Sequence, residues 1–299
     1  MSTRLVRLLS LLFAFTLVAA ACGSDGDDAG DDSTDGGDEA AGGGDDLDCS
    51  VENLALFSDG QLTIATGEPV FPPWMLDDDP TSGEGFESAV AYALAEEMGF
   101  EAADVQWVRT DFDVAIAPGD KDYDFNMQQY SPTSERDEVV DFSIPYYTAD
   151  KSVLTFAGSP VSGATTFADL EAGSWGATIG TTDLDYIENE MGIEDVAVFD
   201  TQADVVAAMV AGQIDATVVS LPTAFFLSAV QLDNGEIAGV LPSAGNSEES
   251  DGMSLLFSDG NELRPCVDQA LTSLRDDGDL DAIAEEWLQG ANDIPSITK

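Results

Sequence analysis

The sequence predicts an α/β chain, on three observations. Short strand-like runs alternate with helical periodicities along the whole body. Helical segments close on glycine, as at Gly99 and Gly212. The alternation also comes in two successive sets that share one plan, strand to loop to helix, with loops at the carboxyl ends of strands. Open α/β sheets bind their ligands at such ends.

In the first set, "QLTIAT" (Gln61 to Thr66) is a β-rich run that leads into the proline-aromatic loop "EPVFPPWM". "FESAVAYALAEEMG" follows, with Phe86, Val90, Leu94 and Met98 near helical spacing. "DVQWV" (Asp104 to Val108) is the next strand, and "DYDFNMQ" another. Thr133 is placed to cap a short helix that carries Arg136. The second set opens with the strand "SVLTFA", then the short helix "FADLEAG" and the strand "SWGATIG". Thr181 and Thr182 open the helix "DLDYIENEMG". "DTQADVVAAMVAG" is a capped helix, "QIDATVV" (Gln213 to Val219) a strand, and "SLPTAFFLSAV" turns into a helix. "DGMSLLFSDG" reads as a β-segment, and "ELRPCVDQALTSLRDDG" and "DLDAIAEEWLQ" close the chain as two helices.

The N-terminus has a different character. Arg4 and Arg7 precede the apolar run "LLSLLFAFTLVAAA", and Cys22 follows. This is the pattern of a secretory signal over residues 1–21, and its apolar run is too short for a membrane span of about 20 residues. Ala19-Ala20-Ala21-Cys22 resembles a bacterial lipobox, which implies that Cys22 becomes a lipid-modified N-terminus. The alternative is an ordinary signal-peptidase site with a leftover thiol. Residues 22–48 form an acidic, Gly-rich leash whose single large apolar residue is Leu47, so it cannot collapse. Such a coil spans roughly 30 Å root-mean-square. An exported chain meets an oxidising compartment, so the remaining cysteines, Cys49 and Cys266, suggest a disulfide. Two buried free thiols are the other reading.

Length and charge narrow the function. The 299 residues, 44% hydrophobic, suffice for one large or two medium domains. A net charge of −50 repels nucleic acid and anionic membranes, and it fits a protein adapted to high salt. The chain has no histidine, which removes the usual neutral-pH base and the commonest metal ligand. No metal or cofactor is expected. Against 59 acidic residues there are 9 basic ones, and Arg136 stands alone in "QQYSPTSERDEVVDFSIPYY". It is read either as a salt bridge to Glu135 or Asp137, or as the grip on an anionic ligand.

Six stretches in order resemble the bacterial solute-binding proteins of family 3, the polar amino-acid receptors of ABC importers. They are "FPPW", "GEGFESAVAYALAEEMG", "SPTSERDEVVDFSIPYY", "GATIGTTDLDY", "AGQIDATVVSLPTA" and "LTSLRDDGDLDAIAEEWL". The resemblance runs from about Leu54 to Gln289. It implies the two-lobed type II periplasmic-binding-protein fold, with a ligand cleft between lobes. Lobe 1 would comprise 50–149 and 252–290, lobe 2 would comprise 150–251, and 291–299 would be a C-terminal tail. The chain would cross between lobes near Ala149–Lys151 and near Ser247–Gly252. It also implies a single-copy binding protein without catalysis, partnered by a small amino acid or related zwitterion and by the permease subunits of the importer.

Carried over residue by residue, the resemblance makes Arg136 the carboxylate-binding arginine, a role a guanidinium's parallel donors suit. Ser131 would share the carboxylate, with Gln128 and Gln129 beside it. Thr181 and Thr182 would close over it from lobe 2, and Thr178 would make a main-chain contact. Phe71, Phe112 and Trp74 would flank the ligand's side chain, and Glu68 would select its far end. Ser220 stands where the family usually has an aspartate for the α-ammonium. Either Asp183 substitutes, or the register is shifted, or the ligand is not an ordinary α-amino acid. An enzyme of the same fold using Glu68 as acid, or a sensory module, is the alternative function.

Overall fold

The computed structural model describes residues 47–244, 252–288 and 294–299. The expected signal peptide, Cys22 and all but the last residues of the leash lie outside the described residues. So does most of the expected second crossing.

Two sheet-centred bodies are built from these residues. The first holds β1 (Leu62–Thr66), α1 (Phe86–Glu97), β2 (Val105–Arg109), α2 (Phe112–Ile116), β3 (Phe125–Tyr130), β4 (Val140–Phe142) and β5 (Tyr147–Thr148). The second holds β6 (Lys151–Phe156), α3 (Phe167–Leu170), β7 (Trp175–Thr178), α4 (Thr182–Asp185), β8 (Val196–Phe199), α5 (Gln202–Val210), β9 (Thr217–Ser220), α6 (Leu221–Phe226) and β10 (Gly235–Val240). The chain then returns to the first with β11 (Gly252–Ser258), α7 (Arg264–Asp277) and α8 (Asp279–Trp287).

The first sheet runs β2-β1-β3-β11-β4, with β5 also on β11. β1 is parallel to both neighbours, Leu62 opposite Val105 and Ala65 opposite Asn126. β11 enters antiparallel between β3 and β4, so a late strand closes an early sheet. One face packs under α1, α7 and α8 around Leu62, Ile64, Phe86, Val90 and Leu94, none of them measurably exposed. Each such side chain contributes about 1.5–3 kcal/mol on leaving water. The other face holds Tyr130, Val140 and Leu256 against Ala115 of α2. In the second body β6 lies between β10 and β9, all antiparallel, and β7 pairs with β8 in parallel. The period-2 alternation of strands divides its apolar residues. Val153 and Val218 face one cluster with Trp175, while Leu154 and Val219 face another with Val205 and Met209 of α5.

Cys49 and Cys266 form a disulfide with Cα atoms 5.5 Å apart, joining the first described turn to α7. The chain leaves the first body at Ala149–Asp150, between β5 and β6. A connection absent from the sequence reading lies at the far end. α8 packs in the first body, with Leu280 in its core. Residues 294–299 lie on the second, where Ser296 bridges Val240, Thr298 bridges Thr166, and Ile297 is 2% exposed. Gly239 admits this strap, because a Cβ there would lie 2.7 Å from the Pro295 carbonyl oxygen.

Candidate functional site

The loops at the carboxyl ends of β1 and β3 face those of β7 and β9 across a cavity of about 160 Å³. A water needs roughly 10–15 Å³ of such space, so the cavity takes a ligand of about a dozen non-hydrogen atoms. All twelve residues singled out from the sequence line it.

The loop after β1 is tied down by Arg109, which donates to the Gly67 carbonyl at 2.5 Å and to Asp78 Oδ1 at 2.9 Å. This sets Glu68 and Phe71 on the wall and turns Trp74 inward, where it is 3% exposed. Trp74 is therefore mainly a core ring, edge-on to Phe86 and Tyr147, with only its indole N–H reaching across to Thr223 Oγ1 at 2.9 Å. Gln128 lies over Gly67, at which a Cβ would collide with its amide. Gln129 has φ +53°, an uncommon value for a side-chain-bearing residue. It is pinned by Glu87, whose carboxylate accepts the Gln129 N–H at 3.0 Å and also its side-chain amide and the Tyr146 hydroxyl. Glu87 is 1% exposed, and burial pushes its carboxyl up to about 7 against these hydrogen bonds.

Arg136 follows a turn in which the Thr133 hydroxyl accepts its backbone N–H at 3.2 Å, as the capping pattern predicts. Its side chain is folded into the wall; the residue is 7% exposed. Nη1 donates to the Ser131 carbonyl at 2.6 Å in the first body, and Nη2 to the Gly180 carbonyl at 2.7 Å in the second. Each terminal nitrogen carries a further N–H. The guanidinium lies 5.6 Å from the Phe112 ring centroid, and Phe112 stacks on Tyr130 at 4.5 Å. Burial lowers the pKa of Arg136, opposed chiefly by the field of Asp185.

The second body supplies Thr178 at the end of β7 and Thr181 at the start of α4. The Thr181 hydroxyl donates to the Thr178 carbonyl at 2.8 Å and accepts the Leu184 N–H at 3.2 Å. Its side chain thus caps the helix, and Thr182 is the threonine whose hydroxyl remains a donor. Thr182 Oγ1 itself accepts from Lys151 Nζ at 2.9 Å, and Lys151 pairs with Asp183 at 2.5 Å. Asp183 lines the cavity, as one reading of the Ser220 departure needs, but it already has a cation. Ser220, opposite Lys151 in the β6–β9 register, donates to Thr223 Oγ1 at 2.9 Å.

The sequence reading missed Glu87, Lys151, Thr223 and the rim acids Asp111 and Asp200, all on the wall. Glu87 looks like any acid in a first helical turn. Lys151 had a signal, being one of three lysines in so acidic a chain.

A matching family model spans the segment that carries these residues. A family described as bacterial extracellular solute-binding proteins, family 3, matches residues 62–290. The L-cystine-binding protein TcyJ of Escherichia coli (strain K12) is 30% identical over 223 residues, 74% of this chain and 80% of that protein. The arginine-binding extracellular protein ArtP of Bacillus subtilis (strain 168) is 29% identical over 69% of this chain and 78% of its own. A solved ancestral arginine-binding protein, bound to arginine, superposes with a TM-score of 0.63 at 25% identity. That match covers 77% of this chain and 99% of the other. The two-lobed type II periplasmic-binding-protein fold is common to such structures.

Proposed function

We infer that this chain, which belongs to the bacterial extracellular solute-binding proteins of family 3, captures a small amino acid or related zwitterion and delivers it to the permease of an ABC importer. The supporting relatives carry names of amino-acid-binding proteins. Binding is by closure: the ligand bridges lobe 1 (residues 50–149 and 252–290) and lobe 2 (150–251), which a few backbone dihedrals at the crossings allow to swing. Arg136 takes the ligand's carboxylate through the second N–H of each terminal nitrogen. The Ser131 and Thr182 hydroxyls add donors, and the phenyl rings of Phe71 and Phe112 flank the side chain. Glu68, Asp111 and Asp200 favour a polar or basic far end. Cys22, lipid-modified, holds the protein on the outer face of the membrane, and the cleft works as a single copy without cofactor or catalysis.

The observation that carries this reading is Arg136, a nearly buried cation in the cavity wall with one carbonyl partner in each body. Charge-assisted hydrogen bonds contribute roughly 1.5–3 kcal/mol each. Arg136→Ala should therefore weaken the bound amino acid at least about 100-fold with an unchanged circular-dichroism spectrum. Titration calorimetry with L-arginine, L-cystine and L-glutamine measures this. Wild-type affinity in the variant would place the carboxylate elsewhere.

A further inference from the structure

Three side chains of the cavity wall form a hydrogen-bond relay that runs from one body to the other. The Trp74 indole donates to Thr223 Oγ1 from the first body, and Ser220 Oγ donates to the same oxygen within the second, both at 2.9 Å. An indole N–H can only donate, and a hydroxyl oxygen has two lone pairs. Both lone pairs of Thr223 are thus taken, and the single proton of Ser220 is directed at Thr223. Ser220 also precedes α6 at a position where serine commonly accepts a first-turn amide. Its side chain makes no such cap. The Ser220 oxygen therefore presents lone pairs, and no proton, to the cavity it lines.

We propose that Trp74 and Thr223 are positioning residues that make Ser220 an acceptor-only group, so that the cleft selects a ligand bearing an N–H or ammonium donor at that point. This rests on the reading that the cleft binds a carboxylated ligand at Arg136, and it assigns the chemistry of the neighbouring position. A hydroxyl that donates becomes a better acceptor through cooperativity. A neutral oxygen so oriented recognises an ammonium without a carboxylate at that position. A ligand with no donor there leaves a desolvated acceptor unmatched, which costs affinity. Because Trp74 and Thr223 belong to different bodies, the selection is complete only when the cleft is closed.

The test compares an amino acid with its des-amino counterpart. L-Arginine, L-cystine and L-glutamine are titrated into the full chain. The tightest binder is paired with 5-guanidinopentanoate, 3,3′-dithiodipropionate or 4-carbamoylbutanoate, respectively. The wild type should prefer the amino acid by about tenfold or more, the scale of one hydrogen bond to a charged group. Thr223→Val, similar in shape but unable to accept, should bring that ratio near one, whatever it does to the absolute affinity for either ligand, since losing the Trp74 bond weakens closure on both alike. Thr223→Ser should restore the ratio. Trp74→Phe, which keeps a ring in the core, should lower it without abolishing folding and serves if the valine chain melts early. An unchanged ratio in folded Thr223→Val or Trp74→Phe overturns the proposal. So does a wild type that binds both members of the pair equally, although Arg136 would then stand as the carboxylate site. Failure to bind any of these carboxylates removes the underlying reading and this one with it.

Discussion

Glu87 is a buried acid held by three donors, and its titration has a defined sign. In the unfolded chain a glutamate releases its proton near 4.5, whereas burial holds the folded group's proton to about 7. Between those values the folded state binds more protons, so stability falls as pH rises. This group's contribution is full below about 4.5 and lost by about 7, a change of about 3 kcal/mol from a shift of about 2.5 units. Urea unfolding of wild type and Glu87→Gln at pH 4.5 and 7.5 isolates it, because the other carboxylates are common to both chains. The glutamine variant should gain about 3 kcal/mol relative to wild type across that interval. Parallel pH profiles would show that Glu87 ionises freely. At this scale, the sequence revealed residues whose chemistry is local to a motif. Arg136 stood out as a lone cation in an acidic stretch, whereas Ser131 and Thr182 were singled out only through the family resemblance; all three line the cavity. Glu87 and Thr223 were not legible, because their roles come from Gln129, Tyr146 and Trp74, partners 42, 59 and 149 residues distant.

Among elements, those that bury a long periodic face were the readable ones. The helix from Phe86 to Glu97 appears where Phe86, Val90 and Leu94 place it. α2 was missed because five residues give a single turn and no periodicity to count. β8 was missed because its four residues are half-buried or exposed, and the edge position leaves no apolar signature. β10 carries two glycines, which weaken any strand signal. The strand ending at Ser220 begins at Thr217, later than the apolar run suggests, because Ile214 packs beneath α5 instead of joining the ladder. The disulfide links elements 217 residues apart and holds the start of the body on α7. Chain-entropy reasoning gives about 5 kcal/mol as the upper bound for so long a loop. Cys49→Ser with Cys266→Ser should lower the unfolding free energy by up to that amount, read as an earlier denaturant midpoint, with a steeper slope because the unlinked unfolded chain exposes more surface. An unchanged midpoint would mean that the unfolded chain gains no freedom when the bond is absent.

For the molecule as a whole, the charge of −50 and the acidic, Gly-rich composition of residues 22–48 would suit a body tethered off a surface by like-charge repulsion, the arrangement proposed above. Cys22→Ala should move the protein from the membrane pellet to the medium while leaving ligand affinity unchanged within about twofold; fractionation and calorimetry read the two outcomes. Retention in the pellet would assign attachment to another segment. The arrangement of two bodies was readable as two successive strand-and-helix sets, but the strap at residues 294–299 was not, since six residues ending in "IPSITK" show no pattern until Gly239 opens a place for them. The strap has a practical side. A fluorophore on Lys299 travels with the second sheet although its nearest helical neighbour in sequence, α8, travels with the first. Paired with a dye on the exposed face of α1, it would report opening and shutting as a change in energy transfer. An affinity tag fused there would press on the Lys299–Glu190 ion pair and the seat of Ile297.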